Sequence, residues 1–112
     1  MMSRFAIALC ALIGLTWTAS AQNYNFTLHN ESDGWVISGF QTNVGGVWSR
    51  NWLTSNLAPG RSRNMVWSSQ SGACVVDIRV IWQDWGSQEY TFNWCTENPR
   101  NIRMQNEGLK FD

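Results

Sequence analysis

Every second residue from Cys74 to Trp82 is apolar: Cys74, Val76, Ile78, Val80 and Trp82 share one parity, while Asp77 and Arg79 hold the other. A period of two is what a strand buried on one face requires, and it does not fit an amphipathic helix. The run SQEYTFNWC (87–95) repeats the pattern with Tyr90, Phe92 and Trp94. Between the runs, Asp84-Trp85-Gly86 suits a three-residue hairpin loop with Gly86 in the left-handed position. That loop pairs Val80 with Tyr90, Ile78 with Phe92 and Val76 with Trp94.

The rest of the chain reads the same way. In YNFTLHN (24–30), Tyr24, Phe26 and Leu28 share one face. NESDG (30–34) reads as a turn and WVISGF (35–40) as the returning strand, so these two strands are expected to form a hairpin. In LAPG (57–60), Pro59 and Gly60 fit the central positions of a type II turn. RSRNMVW (61–67) follows, with Met65 and Trp67 on one side, and SSQSG (68–72) turns the chain again. A last pair of strands is expected around residues 102–104 and 109–111. No long 3.6-residue pattern follows residue 21. Six to eight short strands separated by Gly, Pro, Asn and Ser predict an all-β fold, a small antiparallel β-sandwich or small barrel.

Residues 1–21 read differently. Arg4 precedes an apolar run, FAIALCALIGLTW (5–17), and Ala19-Ser20-Ala21 supplies small residues for cleavage before Gln22. The run is too short for a membrane span, which needs roughly 20 apolar residues. The expectation is a signal peptide over 1–21, a single domain over 22–112, and a periplasmic or secreted location. The whole chain has eight Lys and Arg against eight Asp and Glu, so loss of Arg4 leaves seven against eight. A near-neutral chain lacks the field that gathers nucleic acid or anionic lipid.

Of three cysteines, Cys10 lies in the apolar run, leaving Cys74 and Cys95. In an oxidising compartment they are expected to form one disulfide, and no C-x-x-C redox motif is present. The hairpin register above places Cys95 on the wrong face for that bridge. A β-bulge between Phe92 and Cys95 is therefore expected.

The segments FTLHNES, WSRNWL, LAPGRS and CVVDIRV…WC resemble those of a group of small exported bacterial proteins. Its members share a signal peptide, a Trp-containing turn, an L-x-P-G turn, a C-x-x-D-I/L-R strand and a second cysteine about twenty residues on. The likeness covers about residues 26–95. The group carries no assigned activity, so the resemblance implies compartment and fold and transfers no catalytic residue. This chain departs from the pattern in its extra tryptophan and its C-terminal stretch.

Seven of the eight tryptophans lie beyond residue 21, the strongest compositional signal in the chain. Trp48, Arg50 and Trp52 fall within five residues, and Arg50 could stack on either indole. They read either as a platform for a sugar ring or a peptide proline, or as a plug at the open end of a sandwich. The average burial of Trp favours the plug. Trp85, at a hairpin tip, either enters a partner's groove or folds back over the sheet edge. His29 has no neighbouring Cys or His and is read as a polar surface residue, so neither a metal nor a cofactor is expected. Asp77 and Arg79 suit a solvated ion pair. Glu31, Asp33 and Asp84 could meet at one end of a sandwich, but no spacing or nucleophile motif identifies catalytic residues. Asn25 and Asn30 fit glycosylation sequons. Three functions are then open. The first is a non-enzymatic binding module holding a protein or glycan partner through Trp48, Arg50, Trp52 and Trp85. The second is an inhibitor or immunity-type protein that blocks an enzyme cleft with the Trp85 loop. The third is a small cell-wall hydrolase.

Overall fold

The computed structural model describes residues 22–69 and 72–112. The signal-peptide expectation for residues 1–21 and the middle of the 68–72 turn lie outside the described residues. The described chain forms strands β1 (Gln22–Asn30), β2 (Ile37–Val44), β3 (Val47–Trp48), β4 (Ser62–Ser69), β5 (Val75–Trp82), β6 (Gly86–Asn93), β7 (Asn101–Gln105) and β8 (Gly108–Phe111). They build two four-stranded sheets, β4-β1-β7-β8 and β3-β2-β5-β6. The fold is the expected β-sandwich, with one parallel pair, β1 with β7, in an otherwise antiparallel arrangement.

The alternation in the sequence becomes the core. From the first sheet Tyr24, Phe26, Leu28, Met65, Trp67, Ile102 and Met104 point inward. They meet Ile37, Phe40, Val76, Ile78, Val80, Trp82 and Phe92 of the second. Burying large aromatic and branched side chains on a shared inner face is the main favourable term available to a domain of this size. Ile37 and Phe40 have opposite parity, yet both are fully buried. A bulge at Ser38 reconciles them: the β2/β5 register shifts between Ile37 and Gly39, which reverses the facing of the strand.

Strands β1 and β2 do not form the expected hairpin; they belong to different sheets and face one another across the core. The Phe26 and Phe40 rings lie 5.1 Å apart between the layers. Two strands with full apolar inner faces bury more by stacking than by lying side by side with those faces on one surface. The chain crosses over through residues 31–36, anchored by the buried Asn30.

The central hairpin forms, but with a register two residues from the expected one. Val76 pairs with Phe92, Ile78 with Tyr90, Val80 with Gln88 and Trp82 with Gly86. The loop is thus Gln83-Asp84-Trp85, and Gly86, at φ 121°, takes the backbone angle that a side chain resists. A two-residue slip leaves every side chain on its own face, so the apolar pattern cannot distinguish the two registers. The expected bulge before Cys95 is replaced by a turn. The Asn93 side chain accepts the N–H groups of Cys95 and Thr96, and the Glu97 carboxylate accepts the Asn93 N–H. The chain leaves the strand there, and Cys95 reaches Cys74 to form the disulfide. The LAPG turn is as expected: Arg61 N–H donates to Ala58 O, with Gly60 at φ 81°. Strands β7 and β8 pair as expected, Met104 with Leu109 and Ile102 with Phe111.

The disulfide spans a separation of 21 residues. Cross-linking a loop of that length is expected to contribute roughly 3 kcal/mol by restricting the unfolded chain. The native chain from Gln22 onward should show no titratable thiol. Denaturation with and without reductant should differ by that amount; a free thiol in the unreduced protein would contradict the bridge.

Candidate functional site

The two ends of the sandwich differ in chemistry. One carries the disulfide and the turn at residues 94–97. The other gathers the crossover 31–36, the LAPG turn, the hairpin loop 83–85 and the turn between β7 and β8. At this second end Trp35 and Trp85 are both 47% exposed, a large apolar area for so small a domain. Their rings lie 6.3 Å apart at 80°, edge to face. Beneath them, the buried Trp82 stacks on Trp85 with centroids 5.5 Å apart and planes within 16°. The three indoles form a corner: Trp85 lies flat on the floor ring Trp82, and Trp35 stands against Trp85 at nearly a right angle.

Trp85 therefore folds back onto the sheet end. It is exposed, but its position is fixed by stacking on Trp82, whose Nε1–H donates to Gln88 Oε1 at 3.0 Å. Trp35 is fixed through its backbone. Asn30 Nδ2 donates to Trp35 O at 2.7 Å, and the Trp35 N–H donates to Ser32 Oγ at 3.2 Å. Gln83 N–H donates to Val36 O at 2.9 Å, tying the two indole-bearing loops together. Such supports hold the corner in one shape before any ligand arrives, which lowers the entropy lost on binding.

The other tryptophans of the sequence-based site lie elsewhere. Trp48 lies beneath Arg79, whose guanidinium carbon is 3.8 Å from the ring centroid. Arg79 also pairs with Glu89 at 3.2 Å, on the neighbouring strand rather than with Asp77; Asp77 instead accepts from Thr91 Oγ1 at 2.6 Å. Trp52 packs against the core, donates its Nε1–H to the buried Thr42 Oγ1 at 3.0 Å, and carries Arg50 4.8 Å above its ring. Among the described residues no ring contact joins Trp48 to Trp52.

Asn51, between Arg50 and Trp52, explains why this segment runs as it does. Its Oδ1 accepts the N–H groups of Phe40 and Leu53, and its Nδ2 donates to Ser38 O. Trp52 N–H donates to Phe40 O and Ser49 N–H to Thr42 O. The stretch thus shields the β2 edge where β3 ends, while Leu53 and Leu57 enter the core. His29 hydrogen-bonds Ser62 Oγ at 2.7 Å and Asn101 Oδ1 at 2.9 Å, linking the outer faces of β4, β1 and β7.

No protein-family model, curated protein or solved structure matches this chain. Among the described residues no group of three metal-ligating side chains occurs, and no helix is long and apolar enough to cross a membrane. Geometry alone thus singles out the Trp35–Trp85 corner. The sequence reading identified Trp85 and missed Trp35, which it placed inside a strand that in fact begins at Ile37. One signal was available: S-D-G-W (32–35) and Q-D-W-G (83–86) are two turns of nearly the same composition, each exposing a tryptophan beside an aspartate and a glycine.

Proposed function

We propose that this protein is an exported, non-enzymatic binding module whose ligand is held in the Trp35–Trp85 corner. The observation that carries the reading is the pair of half-exposed indoles at 80°, one of them stacked on a third, buried indole. Two large apolar side chains left half in water gain little for the fold itself, and rigid exposed rings are how aromatic sites bury a ligand at low entropic loss. The disulfide is compatible with a periplasmic or secreted location, where such bridges persist. Glycans of the envelope or a protein segment are the partner classes this surface suits. The cleft-blocking inhibitor is less well supported, because Trp85 lies flat on Trp82 rather than projecting.

The corner predicts a specific pattern. Trp35→Ala and Trp85→Ala should each weaken binding at least tenfold, while Trp48→Ala, whose ring is already covered by Arg79, should not. Titration of intrinsic tryptophan fluorescence with envelope fractions, followed by the purified binder, measures this. Loss confined to Trp48→Ala or Trp52→Ala would move the site to the other end of β2.

A further inference from the structure

Charge around the corner narrows the ligand. The crossover Glu31-Ser32-Asp33-Gly34-Trp35-Val36 and the loop Gln83-Asp84-Trp85 hold three carboxylates and no lysine or arginine. Glu31 is already engaged: Gln105 Nε2 donates to it at 2.8 Å and Arg103 Nη1 at 3.0 Å. Those two hydrogen bonds, with Arg103's charge, hold its carboxyl below the ordinary glutamate range. Arg103 is shared with Asp112, 3.7 Å away, and is held on the β7 side of the end. Arg61 lines a separate recess with His29, Glu31 and Ser32.

The two aspartates nearest the indoles in sequence are in a different condition. Asp33 is held in place by Asn106, which accepts the Asp33 N–H at 3.0 Å and donates to one carboxylate oxygen at 2.7 Å. Its partner there is a neutral amide, so the negative charge is oriented without being cancelled. Asp84, directly before Trp85, enters no ion pair among the described residues. Each exposed indole thus has an uncompensated carboxylate within two residues of it in the chain.

We propose that the corner binds a small organic cation of the quaternary-ammonium class, the chemistry of choline, against the exposed surfaces of the Trp35 and Trp85 rings. The inference rests on the binding reading above and names its ligand class. Two half-exposed indoles meet here at right angles, and indole is the strongest of the aromatic side chains in attracting a cation. A trimethylammonium group has three apolar methyls for the rings and a charge that needs no hydrogen bond. It therefore leaves no donor unsatisfied against indole rings, which offer no conventional hydrogen-bond acceptor. Asp33 and Asp84 supply the long-range attraction. The same two charges disfavour a ligand with a phosphate beside its ammonium, so the free cation is preferred to a phosphatidylcholine head group.

The test compares choline with 3,3-dimethylbutan-1-ol, its uncharged isostere, by tryptophan fluorescence and calorimetric titration of the protein. Choline should saturate the signal and bind at least tenfold more tightly than the alcohol. The double variant Asp33→Asn/Asp84→Asn should bring the two affinities within about threefold of each other, with its melting temperature confirming that it is folded. Trp85→Ala should abolish the choline signal. Equal affinity for choline and the alcohol in the unaltered protein would overturn the cation assignment. So would saturable binding of a neutral sugar or a proline peptide without choline binding; in both cases the aromatic binding site would stand. Vesicles of phosphatidylcholine binding more tightly than free choline would overturn the preference for the free cation. No saturable change with choline, while the envelope titration still saturates, would overturn the inference and leave the binding reading standing; no change in either would remove both.

Discussion

Trp94→Ala is expected to destabilise the domain by about 3–5 kcal/mol, as deletion of a buried indole typically does. Trp94 is 2% exposed and touches the rings of Tyr24, Phe26, Trp67 and Phe92 at 5.2–5.6 Å between centroids, joining both sheets. Its backbone N–H donates to Cys74 O at 2.7 Å, beside the disulfide, so the surroundings cannot collapse to fill the hole. Trp94→Phe should lose much less than the alanine variant. The Trp94 Nε1–H is buried without a hydrogen-bond partner, so the smaller ring gives up packing but no bond. Trp85→Ala should change stability by no more than about 1 kcal/mol, because half of that ring is already in water. Urea denaturation of the three variants decides the matter, and equal losses for Trp94→Ala and Trp85→Ala would contradict the burial described here.

The contrast between these two tryptophans shows which parts of the molecule the sequence made legible. Trp94, Trp82 and Trp67 continue the inward parity of their strands, so their burial could be read directly from a period of two. Trp35 could not be placed that way. It stands two residues before a strand whose bulge at Ser38 breaks the parity, and a bulge leaves no mark in an apolar pattern. The partner of β1 was equally hidden. Tyr24, Phe26 and Leu28 declare an inner face, but not whether the next strand lies beside it or across from it. Asn30 marks the crossing: three of its side-chain hydrogen bonds shape the local turn, and the fourth, to Leu57 O, exists only once residue 57 is folded against it. The corner was half visible for the same reason. A turn exposes Trp85 by local rules, whereas its meeting with Trp35 depends on the crossover between the sheets ending beside the β5–β6 loop.

Asn30→Ala is the second substitution expected to have a large effect, about 3–4 kcal/mol. Asn30 is 1% exposed, and its carboxamide is fully used. Nδ2 donates to Trp35 O at 2.7 Å and to Leu57 O at 2.9 Å, while Oδ1 accepts from the Ser32 N–H and hydroxyl at 3.1 and 2.7 Å. Four bonds at roughly 1 kcal/mol each, with the Ser32 N–H left buried, give the total. Asn30→Asp should be at least as damaging, since it keeps the acceptor but turns a carboxylate oxygen toward two carbonyls. The same burial bears on the Asn30-Glu31-Ser32 sequon. With both amide hydrogens committed inside the fold, Asn30 has no room for a glycan on the folded domain, whereas Asn25 lies exposed on the outer face of β1. Because Asn30 also holds the Trp35 backbone, ligand binding should weaken in Asn30→Ala even at temperatures where the variant is fully folded. Hydrogen exchange at residues 32–37 and affinity measured on the same sample separate the two effects. Unchanged exchange in the crossover, together with wild-type affinity, would show that the corner keeps its shape without this side chain, held by the Trp35–Trp85 ring contact and the Gln83–Val36 hydrogen bond.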